Sequence, residues 1–320
     1  MVSSLKTIKR PISAELKIFE QRFREDMRSN VPLFDKITYY IVQRKGKEIR
    51  PMFVFLCAQI GGEVNEASYH AASLVELLHT ATLVHDDVVN DSYEDRGFFS
   101  LNAIWKNKIA VLVGDYLLQK GFIIALQNKC FLIFEILANA VKKMNEGTLL
   151  AIEKTRQLNV DEKMYFEITR YKTASLIAAA CESGAASTSE DKELIENMKN
   201  FGEKIGIAFQ IRDDLFDYAT NAIGNPLAVD FKEKGISLPL VYALHQADFS
   251  QKRKIINDIK RKKNTKEVIA FVQEKGGVKY AQQMMQKYKN EALSILQNFP
   301  ASEAKAALEE LVKYVIERKK

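Results

Sequence analysis

An all-α fold, a single-domain helical bundle, is expected for this 320-residue chain. Three observations point to helices. Glycine and proline are scarce, at 14 and 6 residues, about half their usual combined share of about 12%. All six prolines (Pro11, Pro32, Pro51, Pro226, Pro239 and Pro300) lie outside residues 52–225, which leaves a long stretch without the residue that breaks helices. Apolar residues recur at helical spacing nearly throughout, and strand-like alternation is nowhere sustained.

That periodicity places helices at 13–27, 33–44, 49–60, 66–91, 101–127, 131–157, 161–184, 190–220 and 236–247, with shorter ones between 251 and 319. Two polar, turn-rich stretches interrupt them, Asn90–Ser100 and Asn221–Ser237. With 47% hydrophobic and 28% charged residues, residues 1–320 can bury one sizeable core and are read as one domain. The scarcity of turn residues excludes sandwiches, barrels and disordered arrays.

Several function classes are also excluded. No apolar run approaches the roughly 18 residues that cross a bilayer, so no integral membrane segment is expected. Lys6, Lys9 and Arg10 near the start have no apolar core behind them, which argues against a secretory signal. Cys57, Cys130 and Cys181 sit singly in apolar surroundings, without metal-ligand or redox spacing, and fit a reducing cytoplasm. His70, His79, His85 and His245 make no metal triad, so a zinc hydrolase is unsupported. The net charge of +6 is mild. Its densest basic stretch, Gln251–Lys266, has Ile255, Ile256 and Ile259 interleaved and reads as a solvated helix face, so no nucleic-acid partner is expected.

One feature recurs. An acidic cluster twice ends a long apolar helix and is followed by a turn-rich stretch: His85-Asp86-Asp87-Val88-Val89-Asn90-Asp91, then Gln210-Ile211-Arg212-Asp213-Asp214-Leu215-Phe216-Asp217. Residues three and four apart share a helix face, so Asp213 and Asp214 align with Asp217. Like charges gathered among apolar residues are costly unless a cation cancels them. All-oxygen ligand sets suit Mg²⁺, which completes its shell with water and substrate phosphate. Two such clusters would grip a diphosphate through bridging metals. The basic groups a diphosphate needs are present as well. Lys47 and Arg50 stand at a helix start, where anions are favoured. His79 lies two helical turns before Asp86 on the same face.

Taken together, these residues resemble the trans-isoprenyl (polyprenyl) diphosphate synthase family. The match runs in order through Gly46-Lys47-x-x-Arg50-Pro51, Glu76–Asp87, Val113-Gly114-Asp115-Tyr116-Leu117-Leu118, Lys172-Thr173-Ala174, Phe209-Gln210-x-x-Asp213-Asp214-x-x-Asp217-Tyr218 and Leu238-Pro239-Leu240. The resemblance implies a bundle around a deep central cavity, a homodimer, and a reaction in which an allylic diphosphate ionises and is attacked by isopentenyl diphosphate. It implies that Asp86, Asp87, Asp213, Asp214 and Asp217 hold Mg²⁺. Lys172, Thr173 and Gln210 would assist the allylic group, and Lys47, Arg50, His79 and Arg96 would bind isopentenyl diphosphate.

The sequence departs from that pattern at four points. Asn90 replaces an acid, Asp95 an arginine, and Asn225 and Gly235 replace lysines. The changes fall on the allylic side and make it about three charges more negative than the family pattern. Three readings follow. The first is a working synthase in which metals carry most of the neutralisation. The second is a weak or inactive homologue serving as the regulatory or partner subunit of a heteromeric synthase. The third is a cyclase-like enzyme, against which the complete isopentenyl-diphosphate set speaks. In the family, bulky aromatics four or five residues before the first aspartate stop growth early. Here Thr82 and Ala81 stand there, so a product longer than C15, of C25 or beyond, is expected. Phe122, one helix later, is the alternative floor.

Overall fold

The computed structural model describes residues 5–43, 48–89, 94–95, 98–157, 161–218, 237–261 and 264–317. A short helix α1 (Leu5–Lys9) and a 3₁₀ turn (Arg10–Ile12) precede α2 (Ser13–Asp26), α3 (Pro32–Gln43), α4 (Ile49–Gly61) and α5 (Glu66–Val89). Two residue pairs, Glu94–Asp95 and Phe98–Phe99, form a minimal antiparallel ribbon. Then come α6 (Leu101–Gln127), α7 (Phe131–Gln157), α8 (Glu162–Thr169), a π turn (Arg170–Ala174) and α9 (Ser175–Ala186). The chain continues through α10 (Lys192–Phe216), α11 (Leu238–His245), α12 (Phe249–Lys260), α13 (Thr265–Glu274), α14 (Gly277–Leu296) and α15 (Glu303–Glu317). The all-α expectation holds, and the helices from residue 13 onward fall within a few residues of their expected positions. Residues 5–12, too polar and basic to show periodicity, are also helical.

Helix starts carry their own signals. Asp161, Asp191 and Asp248 each cap a helix, accepting from Met164 N at 2.8 Å, Glu193 N at 2.9 Å and Gln251 N at 2.8 Å, which satisfies amides that the first turn leaves unbonded.

Burial follows sequence pattern. In α4 the run Pro51–Ala58 is buried on every side, as expected of a helix that is apolar all round. Its neighbour α9 is built from small residues, Ala178, Ala179, Ala180, Cys181, Ser183 and Gly184, all buried. A methyl at Gly184 would lie 2.3 Å from Val54 O, so the two helices touch backbone to backbone. The main core also joins the chain ends, because Ile8 and Ile12 share it with Leu311, Val312 and Val315.

One helix bears on the membrane expectation. The stretch Ala103–Gln127 of α6 is long and apolar enough to cross a membrane by length and composition, with mean hydropathy 1.7, although only 39% of it is buried. Asp115 and Lys120 break the run, which is why no uninterrupted apolar segment is visible in the sequence. One side of α6 is core, with Ala110, Val113, Leu117 and Ile124 buried. The other exposes Ile104, Val111, Leu112, Phe122, Ile123 and Leu126.

Candidate active site

Both acid clusters sit at the C-terminal ends of their helices. Asp86 and Asp87 occupy the last turn of α5, and Asp213 and Asp214 the last turn of α10, with Asp217 just beyond it. Carboxylates there face the negative end of the helix dipole, an unfavourable placement that a bound cation reverses. Burial adds to the cost. Asp87, Asp214 and Asp217 are 7%, 7% and 8% exposed. Desolvation pushes Asp86 above the usual carboxylate range, with Lys172 pulling it back. Burial also raises Asp214 to about 7, against hydrogen bonds from Leu238, Gln210 and Tyr165 that lower it. Among the described residues no three carboxylate, histidine or cysteine groups converge into a cage for a bare ion. Each cluster is a partial, all-oxygen set, the kind that suits a cation sharing its shell with water and phosphate.

The π turn bridges the two clusters. An extra residue per turn lets consecutive side chains point inward, and such bulges concentrate at functional sites. Here the charge of Lys172 acts on Asp86. Next to it, the Thr173 hydroxyl donates to Gln210 Oε1 at 2.8 Å, and Gln210 Nε2 donates to Asp214 Oδ1 at 3.0 Å. The turn is seated by two glycines. A methyl at Gly147 would lie 2.7 Å from Lys172 N, and one at Gly206 would lie 2.4 Å from Ala174 Cα.

Asp213 is held by a residue that sequence reasoning gave no role. Arg212, 7% exposed, pairs with Asp213 Oδ1 through Nε and Nη2. Its guanidinium lies 4.5 Å from the Phe209 ring and 5.2 Å from Phe216, and Nη1 donates to Val315 O on α15. The C-terminal helix thus helps fix a residue of the second cluster. On α5, His85 Nε2 lies 3.4 Å from Asp115 Oδ1, and its ring occupies the space over Gly114, where a methyl would come within 2.2 Å. That explains the Gly114-Asp115 pair in structural terms.

The isopentenyl-diphosphate set is described only in part. Arg50 Nη1, in the first turn of α4, lies 3.5 Å from Glu76 Oε1 on α5, and Glu76 stands one turn before His79 on the same face. Lys47 and Arg96 lie outside the described residues, as do Asn90, Asn225 and Gly235 and the side chain of Asp95. Ala81 is fully buried and Thr82 is 8% exposed, its hydroxyl donating to His79 O at 2.9 Å. Phe122 packs edge-on against Phe134 of α7, with centroids 5.3 Å apart. A further partner, Tyr165, carries no sequence signal, and Ser237 stands where the family pattern has a threonine. Tyr165 is 49 residues from the carboxylate it meets.

Comparison with known proteins gives the family. The family model described as polyprenyl synthetase matches residues 31–275. The all-trans-nonaprenyl-diphosphate synthase (geranyl-diphosphate specific) of Rhodobacter capsulatus is 32% identical over 96% of this chain and 96% of its own. A polyprenyl synthase from Caulobacter crescentus, solved with calcium and isoprenyl diphosphate, superposes with a TM-score of 0.89 at 30% identity, covering 99% of both chains. The geranylgeranyl pyrophosphate synthase of Bacteroides thetaiotaomicron is 36% identical with a TM-score of 0.83, covering 98% of this chain and 99% of that one. The chain belongs to the polyprenyl synthetase family of trans-prenyltransferases.

Proposed function

We propose that this protein elongates an allylic prenyl diphosphate with isopentenyl diphosphate, in a Mg²⁺-dependent condensation, to a medium- or long-chain product. The observation that carries this reading is the pair of carboxylate clusters at helix C-termini, bridged by Lys172, Thr173 and Gln210. Asp86, Asp87, Asp213 and Asp217 would hold the metal. When bound, Mg²⁺ neutralises the charge that builds on the departing diphosphate. Lys172 and Thr173 orient the allylic diphosphate, and Gln210 fixes Thr173. Arg50 and His79, with Lys47 and Arg96, bind isopentenyl diphosphate. His79 and Asp86 are seven residues apart, about 10 Å along one helix, which sets the two diphosphates side by side. The apolar core around Leu77, Leu78 and Ala81 keeps water from the reacting cation. Both ends of the chain share the main core, which supports one domain over residues 1–320, and the three cysteines are buried and free, in keeping with a reducing cytoplasm.

Growth runs along α5, where Ala81 and Thr82 are the small residues beneath the first cluster. With radiolabelled isopentenyl diphosphate and farnesyl diphosphate, the expected product exceeds C15. Ala81→Phe should shift it to shorter chains, read by chromatography. An unchanged product spectrum would put the floor elsewhere, and no incorporation at all would overturn the proposal.

The exposed face of α6 fits a second copy of the chain. Val111, Leu112 and Leu126 share one side with Lys108 and Asp115. Two charged side chains on this face, Lys108 and Asp115, would be costly against hydrocarbon, whereas a protein partner and water can accommodate them. Leu112→Glu is expected to convert a dimer to a monomer in light scattering, and an unchanged mass would exclude this face as the interface.

A second reading, an inactive partner subunit, is favoured by one observation. The basic groups replaced at Asp95, Asn225 and Gly235 all belong to the allylic side.

A further inference from the structure

The second acid cluster contains a carboxylate whose oxygens are already engaged. Asp214 Oδ2 accepts from the Tyr165 hydroxyl at 2.7 Å and from Leu238 N at 2.9 Å, and Oδ1 accepts from Gln210 Nε2 at 3.0 Å. Asp214 is 7% exposed and Tyr165 3%. These donors come from three directions: α8, the first residue of α11, and the preceding turn of α10. A second tie runs beside the first. Tyr218, next to Asp217, shares a 2.7 Å hydrogen bond with Ser237, the residue immediately before α11.

We propose that Tyr165 is a positioning residue of the active site, acting through Asp214, and that Asp214 is a brace rather than a metal ligand. The argument rests on the prenyl-elongation reading above and deepens it. A carboxylate that accepts three donors in a closed setting has little left to offer a cation, while it locks everything attached to it. The tie fixes the last turn of α10, which carries Asp213 on one side and Gln210 on the other. Gln210 in turn holds Thr173. One phenol hydroxyl therefore sets the register between α8, α10, α11 and the π turn. Arg50 and His79, on α4 and α5, stand outside this network, so the two substrate sites should respond differently to its loss.

Four purified proteins decide the matter: wild type, Tyr165→Phe, Asp214→Asn and, as the reference for a ligand, Asp213→Asn. Binding of a non-reactive allylic thiodiphosphate in Mg²⁺ is measured by calorimetry, and both KM values by elongation. Tyr165→Phe is expected to weaken analogue binding and raise the allylic KM roughly tenfold to a hundredfold, the usual cost of losing a partner that orients a metal-binding group. The KM for isopentenyl diphosphate should not move. Asp214→Asn, which retains an acceptor oxygen, should be milder than Asp213→Asn. The proposal fails if Tyr165→Phe leaves the allylic site unchanged or moves both KM values together. It also fails if Asp214→Asn is as damaging as Asp213→Asn. Should Tyr165→Phe not fold, the Asp214→Asn comparison still decides. If wild type neither elongates nor binds the analogue, the elongation reading itself is at fault, a result distinct from all of these.

Discussion

Asp86→Ala is expected to cut elongation about a hundred- to a thousandfold, the scale of removing one group that stabilises charge in a transition state, without lowering the thermal midpoint. The two halves of that result have one cause. Asp86 lies in the last turn of α5, at the negative end of the helix dipole, and burial already disfavours its charge. Before a metal arrives, the carboxylate is an electrostatic burden on the fold, relieved in part by Lys172. Removing it takes away a repulsion and costs no apolar packing. With metal and diphosphate bound, the same carboxylate is part of what holds them. A structural residue would behave in the opposite way, losing stability first and activity as a consequence. Turnover with and without Mg²⁺, set beside a thermal melt, separates the two. A fall in midpoint with activity retained would remove Asp86 from the site.

Gly206→Ala is expected to lower the thermal midpoint, at a cost of about 3 kcal/mol, and to raise the allylic KM as well. The added methyl would stand 2.4 Å from Ala174 Cα and 2.7 Å from its Cβ, well inside the roughly 3.5–4.0 Å of carbon contact. Both obstacles are rigid, so α10 must shift or the π turn must yield. Ala174 is the last residue of that turn, and Lys172 and Thr173 move with it. Gly184→Ala is the matched control. Its methyl would meet Val54 O at 2.3 Å, on α4 and three turns beyond the π turn. It should lower the midpoint comparably while leaving the allylic KM in place. Equal effects of the two substitutions on KM would mean that the close contact at Gly206 has no special bearing on the site.

Much of this arrangement is legible in the sequence, for identifiable reasons. Helix positions from residue 13 onward follow from periodicity because nearly every helix has one face against the core, and proline is absent where it would interrupt it. The two acid clusters are legible because carboxylates among apolar residues at helix ends have few structural explanations. What escaped is of two kinds. The π turn at Arg170–Ala174 adds a single residue to a turn and leaves the apolar rhythm of α8 and α9 intact, so 161–184 reads as one continuous helix. Yet that added residue is what presents Lys172 and Thr173 together. Tyr165 and the hydrogen bond between Ser237 and Tyr218 escaped because they depend on contacts made across the chain, which spacing cannot report. Asp214 falls among the expected metal ligands because it shares a helix face with Asp217 and belongs to the matched motif, neither of which reports its hydrogen bonds. Its three donors come from α8, α10 and α11, two of them outside its own helix. The apolar face of α6 was hidden for a related reason, since Asp115 and Lys120 divide a run that the helix reassembles.

The central claim is that this chain by itself catalyses condensation at the two-cluster site. Its most direct test is turnover of radiolabelled isopentenyl diphosphate with farnesyl or geranylgeranyl diphosphate, using the purified protein alone, before and after chelation of Mg²⁺. The expected result is chain elongation that chelation abolishes and added Mg²⁺ restores. Isopentenyl diphosphate bound without any elongation, in Mg²⁺ and with either primer, would contradict the claim and leave the partner-subunit reading in its place.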